Sequence, residues 1–407
     1  MKGVWLVMGG ALLACSSGGA NPSDAGNDSG PGADAATDSG SPTALPVDCR
    51  TNKTDKRCAS QSDTPPETIG KGPMKNFYAF GGGFVDKANN RLVVAFGCDL
   101  CSDKDTGVMG VDLTTGDRTL LSGSINDTIT GPLSVGTSDA LTSIDDVHVA
   151  PNGKWWVLDS NNTGAEMHEI DPATGNRTVL YTQAQFDRTQ TPICKDGTTG
   201  LQVGWDQEDG TIGLADFVLH SDGKLYLQAN GPYGDPSAIV EISQQTCRVV
   251  TAYSTTSGLN VGSGPKVGAN YGWLTERSGV LVAPLEPDYL HSVDITTGKR
   301  TMISSADPSA LLGTGDYIGD GFTAVSADGS AIFSTGGLNH VIFGGILSID
   351  PATGNRTKLD PIAGPQSNAY GSNPIPHPTL PGVYIMAGDS MIALFEPATG
   401  NSMMLSR

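Results

Sequence analysis

One phrase recurs along the chain and constrains its fold more than any other feature. It reads Val111-Asp112-Leu-Thr-Thr-Gly116-Asp-Arg118-Thr, then Ile170-Asp171-Pro-Ala-Thr-Gly175-Asn-Arg177-Thr. It returns as Val293-Asp294-Ile-Thr-Thr-Gly298-Lys-Arg300-Thr and as Ile349-Asp350-Pro-Ala-Thr-Gly354-Asn-Arg356-Thr. A fifth copy is Phe395-Glu396-Pro-Ala-Thr-Gly400-Asn-Ser402, and a degraded sixth is Glu241-Ile-Ser-Gln-Gln-Thr-Cys247-Arg248. Gly116 and Gly400 are 284 residues apart (400 − 116) across five intervals, about 57 residues per repeat. Self-similarity at such a period marks an array of like supersecondary units.

The phrase has the chemistry of a β-hairpin. Alternating residues precede it (Met167-His168-Glu169-Ile170) and a β-branched run follows (Arg177-Thr178-Val179-Leu180). Between them Asp-Pro starts a turn and Gly supplies a position with positive φ. A second hairpin lies earlier in several repeats, at Asn152-Gly153, Asp222-Gly223 and Asp328-Gly329, each between apolar alternations. Blade four carries Arg277-Ser-Gly279 there and blade six Leu380-Pro-Gly382. Composition agrees: 54 of 407 residues are Gly, and Asp outnumbers Glu 35 to 8 (together 43), a bias toward turns and away from helices. Two hairpins make four strands per repeat. The expected fold is therefore all-β, a six-bladed β-propeller of four-stranded blades. The blades are expected at 74–123, 140–182, 211–253, 268–305, 320–361 and 367–407.

The pattern resembles six-bladed propellers of the NHL-repeat and TolB type. Gly153-Lys-Trp-Trp-Val-Leu-Asp159-Ser-Asn-Asn162 is especially similar to the strand-and-turn part of an NHL repeat. The resemblance spans about 330 residues and implies an architecture, not a chemistry.

The N-terminal region reads differently. Lys2 precedes an apolar run from Val4 to Ala14, the form of a secretory signal. Leu12-Leu13-Ala14-Cys15 resembles the lipobox of bacterial lipoproteins, which implies lipidation of Cys15 and, with Ser16 following, placement in the outer membrane. Residues 1–14 are expected to be the signal peptide and 15–46 a lipidated Cys followed by a disordered, acidic tether. Residues 47–73 form a Cys-containing segment and 74–407 the propeller. Besides Cys15 there are six Cys, an even number in an exported chain, expected to pair as Cys49–Cys58, Cys194–Cys247 and, by elimination, Cys98–Cys101. A net charge of −19 argues against a nucleic-acid partner. No apolar stretch is long enough for a transmembrane helix.

Propeller topology puts both hairpin sets on one face and the long, dissimilar connections on the other, where function is expected. Asp146 and Asp216 share a register, each seven residues before a turn Gly. With Asp145 and Asp320 they form a candidate set for a hard cation such as Ca²⁺. Asp159, Asn161, Asn162, Asn230, Asp316, Asn339 and His340 are candidate ligand-binding residues on the same face. Their structural alternative is capping of backbone N–H groups at strand starts. Asp103-x-Asp105-x-Gly107 is a fragment of a calcium loop that lacks its remaining acids. Trp155 and Trp156 are expected to face opposite sides of one strand, and the repeated Arg to drape over the outer strand or cap the turn. No HExxH, G-x-S-x-G or P-loop pattern occurs.

The expected function is a membrane-tethered binding module for a protein, peptide or glycan. The alternative is a cation-dependent hydrolase or lyase, since gluconolactonase and streptogramin-lyase propellers bind a cation in the tunnel. The first blade here reads Phe77-Tyr78-Ala79-Phe80-Gly81-Gly82, without the metal-binding Glu of the gluconolactonases. A quinone-cofactor dehydrogenase is a third reading, but those propellers carry Trp after the turn where this chain has Thr.

Overall fold

The computed structural model describes residues 44–59, 69–73, 83–97, 105–127, 131–137, 140–142, 144–161, 164–181, 194–203, 211–230, 237–243, 246–254, 256–265, 274–286, 289–307, 310–315, 322–326, 328–335, 346–359, 374–388 and 391–406. The chain divides into two units, 1–40 and 41–407, and all described residues lie in the second.

Six sheets follow one another along the chain, antiparallel throughout except for the short parallel pair β11–β12 in the third. Blade 1 holds β1 (Gly83–Asp86), β2 (Arg91–Phe96), β3 (Thr106–Asp112) and β4 (Arg118–Asp127), with a fifth strand β5 (Gly131–Val135) beyond its outer edge. Blade 2 is β6 (Ile144–Val149), β7 (Trp155–Asn161), β8 (Gly164–Ile170) and β9 (Arg177–Tyr181). Blade 3 is β12 (Thr211–Leu219), β13 (Leu225–Asn230), β14 (Ser237–Ser243) and β15 (Thr246–Tyr253). It is flanked by β10 (Cys194–Lys195) and β11 (Gln202–Val203) on one side and β16 (Asn260–Val261) on the other. Blade 4 is β17 (Thr275–Arg277), β18 (Val280–Glu286), β19 (Tyr289–Val293) and β20 (Arg300–Ser305). Blade 5 is β21 (Phe322–Val325), β22 (Ile332–Thr335), β23 (Ile346–Ile349) and β24 (Arg356–Leu359). Blade 6 is β25 (Ile375–Pro376), β26 (Tyr384–Gly388), β27 (Met391–Glu396) and β28 (Asn401–Ser406).

The molecule is a six-bladed β-propeller, as the repeat implies. Its blades follow the expected order, with strands beyond the expected bounds in two of them: β5 past residue 123 in blade 1, and β10 and β11 before residue 211 and β16 past residue 253 in blade 3. First strands neighbour first strands, β25 beside β1, β1 beside β6, β6 beside β12 and β17 beside β21, so they line the central channel. The core is divided among the seams. One cluster joins Val93 and Val108 of blade 1 to Val147 and Val157 of blade 2. Another joins Leu158 and Met167 of blade 2 to Phe217 and Leu227 of blade 3. Similar clusters fill the seams 3–4, 4–5 and 5–6, and the largest joins blade 6 to blade 1 and closes the ring. Trp155 and Trp156 do face opposite sides: Trp155 packs toward blade 1, while Trp156 lies toward blade 3 and donates its Nε1–H to Glu169.

The repeated Arg departs from expectation. It is buried instead of draped, only 3% exposed at Arg118 and 1% at Arg300. Each guanidinium reaches into the segment that follows the preceding blade. Arg177 Nη1 donates to the Val135 carbonyl and to Ser122 Oγ (3.1 and 3.0 Å). Arg300 donates to the carbonyls of Val261 and Pro265 and to Thr251 Oγ1. Arg356 Nη1 donates to the Leu312 carbonyl and Ser304 Oγ (3.0 and 2.7 Å). Five fixed N–H donors suit this role, because one guanidinium reaches several oxygens of the neighbouring segment at once.

Those receiving segments are themselves a repeat: Val135-Gly136-Thr137, Val261-Gly262-Ser263-Gly264 and Leu312-Gly313-Thr314-Gly315. Their third residue accepts the backbone N–H of the same Arg, Thr137 from Arg177, Ser263 from Arg300 and Thr314 from Arg356. A copy also lies ahead of the first blade, Ile69-Gly70-Lys71-Gly72-Pro73, and it serves blade 6. Arg118 of blade 1 donates to the carbonyls of Ile69 and Pro73 and to Ser406 Oγ on β28 (3.0, 2.9 and 2.7 Å). The ring is thus closed by a strap from the N-terminal side. Gly70 (φ +77°) is required there, since a Cβ would stand 2.0 Å from the Gly116 carbonyl oxygen.

Candidate functional site

The channel-facing first strands carry the predicted acidic set, and their register decides where each side chain goes. In β6 the pairing with β7 shifts between Ile144 and Asp146, leaving Asp145 at a bulge. Asp146 then pairs with Leu158, which faces blade 3, while Ile144 pairs with Asp159 on the side facing blade 1. The two carboxylates are therefore on opposite sides of blade 2.

Asp146 is 2% exposed and both its oxygens are engaged. Oδ1 accepts the Val147 N–H at 2.7 Å, and Oδ2 lies 2.6 Å from His148 Nε2. The His148 ring packs edge-on against Phe217 of β12, with centroids 4.6 Å apart. Burial opposes charge on this ring, but the Asp146 charge, its hydrogen bond and a bond to the Phe217 backbone outweigh it and raise the His148 pKa. With one nitrogen on Asp146 and a bond to the Phe217 backbone, the His148 ring ties blade 2 to blade 3.

Asp159 is 4% exposed and accepts the Thr142 N–H and the Thr142 hydroxyl (2.9 and 2.7 Å). It fastens the lead-in to blade 2. Buried His168 stands beside it, with Nε2 3.9 Å from Asp159 Oδ2 and 3.4 Å from Glu166 Oε2. Asp105 accepts the Asn126 N–H at 2.6 Å and Gly107 lies inside β3, while Asp103 lies outside the described residues.

Asp216 has the register of Asp146: β12 shifts between Leu214 and Asp216 as β6 does before Asp146. The side chains of Asp145, Asp216, Asn161 and Asn230 lie outside the described residues, although all four backbones are in strands. Asn162, Asp316, Asp320, Asn339, His340, Cys15, Cys98 and Cys101 are outside the described residues altogether. Among the described residues no three His, Cys, Asp or Glu side chains converge to hold a metal ion.

Cys49 and Cys58 form a disulfide, as expected. Cys247 is also disulfide-bonded, and β10, which carries Cys194, lies against β15, which carries Cys247. In register, Cys247 pairs with Ile242 as Arg177 pairs with Ile170. Blade 3 thus carries a disulfide-bonded Cys where blades 1, 2, 4 and 5 carry the buried Arg. The acceptor hydroxyls explain the exchange. Ser122, Thr251, Ser304 and Ser406 each lie four residues past the Arg position of their blade, and the following blade then has Arg. Blade 2 has Tyr181 at that place, and blade 3 follows with Cys247.

Sequence reading missed a junction between blades 3 and 4. His220, buried in the first turn of blade 3, accepts the Asp222 N–H on Nδ1, and its Nε2 lies 3.6 Å from Glu276 of β17. Glu276 also accepts the Ser221 N–H at 2.7 Å. Nothing in the spacing of these residues marks the contact, because Glu276 lies on another blade.

By sequence the chain matches no family model and no curated protein. Among solved structures it is similar to the tricorn protease (13% identity, TM-score 0.42, 82% of this chain) but spans only 26% of that chain. It is similar to TolB from Acinetobacter baumannii at 13% identity and TM-score 0.47, over 78% of this chain and 64% of TolB. A streptogramin B lyase matches at 13% identity and TM-score 0.42, over 82% of this chain and 84% of the lyase. These likenesses concern the fold alone.

Proposed function

We propose that the protein is an exported propeller, tethered to a membrane by a lipid on Cys15, that binds a protein, peptide or glycan through the loop-rich face. The observation that carries this reading is the difference between the two faces. On one, the repeated turns close on themselves, Asp112, Asp294 and Asp350 each accepting backbone N–H groups of their own turn, and the buried Arg ties each turn to its neighbour. On the other, the connections between second and third strands range from two residues between β7 and β8 to ten between β22 and β23. A rigid ring with dissimilar loops on one rim is a scaffold for recognition. The first described residue, Ala44, donates its N–H to Glu396 at the last turn of blade 6. The acidic surface does not suit nucleic acid.

A cation-dependent hydrolase or lyase is the second reading. In its favour is the shared register of Asp146 and Asp216 on adjacent first strands. Metal analysis separates the two on full-length protein. The binding reading expects no stoichiometric cation that Asp216→Asn removes together with a hydrolytic or lyase activity. Such a joint loss decides for the enzyme. Metabolic lipid labelling, abolished by Cys15→Ala, is expected for the anchor, and labelling that survives the substitution excludes it.

A further inference from the structure

Between blades 2 and 3 the chain makes an extra hairpin, β10–β11, around Asp196-Gly-Thr-Thr-Gly200. It is another copy of the blade turn. Asp196 N–H donates to the Leu201 carbonyl and Gly200 N–H to the Asp196 carbonyl, as Asp112 and Gly116 do with their own turn in blade 1 (all 2.9 Å). The hairpin touches blade 3 at two depths. β11 pairs with Thr211 and Ile212 at the start of the channel strand β12. Asp196, only 5% exposed, accepts the Val249 N–H of the outer strand β15 on its carboxylate. Leu201 packs on the apolar cluster between blades 2 and 3.

Strand directions then bring two cysteines together. β11 runs parallel to β12 and β10 antiparallel to β11. β15 is reached from β12 through three antiparallel pairs, so β10 and β15 run the same way. Cys194 lies two residues before Asp196, and Cys247 two before Val249. The Asp196–Val249 bond therefore sets position 194 alongside Cys247, which is disulfide-bonded and half-buried. Cys247 also stands at the Arg position of its blade, from which Arg177, Arg300 and Arg356 grip the segment after the preceding blade. In blade 3 that segment is the one carrying Cys194. A guanidinium keeps its charge at any ordinary pH, whereas a disulfide is broken and remade by exchange with thiols.

We propose that Cys247 is bonded to Cys194 and that this disulfide is a redox-sensitive clasp. Oxidised, it fixes the β10–β11 hairpin on blade 3. Reduced, it frees that hairpin and the entry to β12, which lies at the end of the strand away from the Asp222-Gly223 turn. The reductant is a dithiol. One of its thiolates attacks a protein sulfur to give a mixed disulfide, and its second thiol then displaces that sulfur. Two electrons and two protons pass to the protein, which gains two thiols while the dithiol becomes a cyclic disulfide.

Peptide mapping of the oxidised full-length protein without reductant, followed by hydrogen exchange with and without dithiothreitol, tests the clasp. A cross-linked peptide joining Cys194 to Cys247 is expected. Reduction is expected to speed exchange over residues 194–203 at least tenfold, to leave β2 and β27 unchanged, and to be reversed on reoxidation. Cys194→Ser/Cys247→Ser should show the fast exchange without reductant and no further response to it, which separates this disulfide from the others. Linkage of Cys247 to another cysteine, exchange over 194–203 unchanged by reduction, exchange that rises in all six blades, or a hairpin response that persists in the double variant overturns the proposal.

Discussion

Arg300 illustrates what a single side chain does in this fold. Its guanidinium, 1% exposed, is desolvated and held by acceptors from blade 3, so removing one partner leaves a buried charge short of bonds. In a double-mutant cycle on urea unfolding, Arg300→Met and Thr251→Val are each expected to cost about 2–3 kcal/mol, with a coupling of about 1–2 kcal/mol. Purely additive losses contradict the latch. His291 tests burial in another way. It is 1% exposed, both ring nitrogens lack a hydrogen-bond partner among the described residues, and burial with the Arg300 charge lowers its pKa to about 4. An unfolded His titrates near 6.5, so between these values the unfolded chain binds a proton that the folded chain does not. Stability must therefore fall as pH drops from about 6.5 to 4, by about 3 kcal/mol in all, and His291→Leu should remove that part of the acid sensitivity. His148 has the opposite sign: its raised pKa contributes stability below about 6.5 that is lost as pH rises through the folded value. Urea midpoints from pH 4 to 9 for the parent, His291→Leu and His148→Gln measure both. The positions of these residues were legible in the sequence, but their partners were not. Asp146 and Asp159 look alike on the page, and only the bulge at Asp145 turns one toward blade 3 and leaves the other facing blade 1.

At the level of elements, the strap matters most. The sequence shows Ile69-Gly-Lys-Gly-Pro and Val261-Gly-Ser-Gly-Pro as plainly as it shows the turn repeat. The first lies outside the blades read from the hairpins, where a linker has no evident neighbour, and its role emerges only when Arg118 is seen to bond Ile69, Pro73 and Ser406 of blade 6 together. Gly70→Ala is expected to destabilise by at least about 2 kcal/mol more than Gly279→Ala. Both positions have positive φ, but a Cβ at Gly279 meets nothing within 4 Å whereas one at Gly70 strikes the Gly116 carbonyl. Equal costs in thermal or urea unfolding contradict strap closure. The segment ahead of the strap is stapled by Cys49–Cys58 and anchored to blade 6, with Cys49 N–H on Asn401 Oδ1 and Asn401 Nδ2 on the Val47 carbonyl (both 3.0 Å). Closing a loop of 9 residues is worth about 2.7 kcal/mol by chain entropy, so Cys49→Ser/Cys58→Ser should lower stability by about that much.

Across the whole molecule, the fold was readable because a repeated hairpin counts its own blades, and each seam then fills with the apolar residues of two neighbours. The function was less readable, because repetition explains the recurring acidic residues as turn caps, and the connections on the other face resemble neither one another nor anything in the repeat. The account holds that the two faces of the ring differ in purpose, one latched and one open to a macromolecular ligand. The measurement that bears on this most directly is photo-crosslinking in cells, with a photoreactive residue placed singly in the full-length protein. Asn162 and Asn339 represent the loop face, in the connections β7–β8 and β22–β23, and Asn152 and Thr353 the hairpin face. Discrete protein or glycan adducts at Asn162 or Asn339, with none at Asn152 and Thr353, are predicted. Adducts confined to the hairpin positions, or spread equally over both faces, would contradict the account.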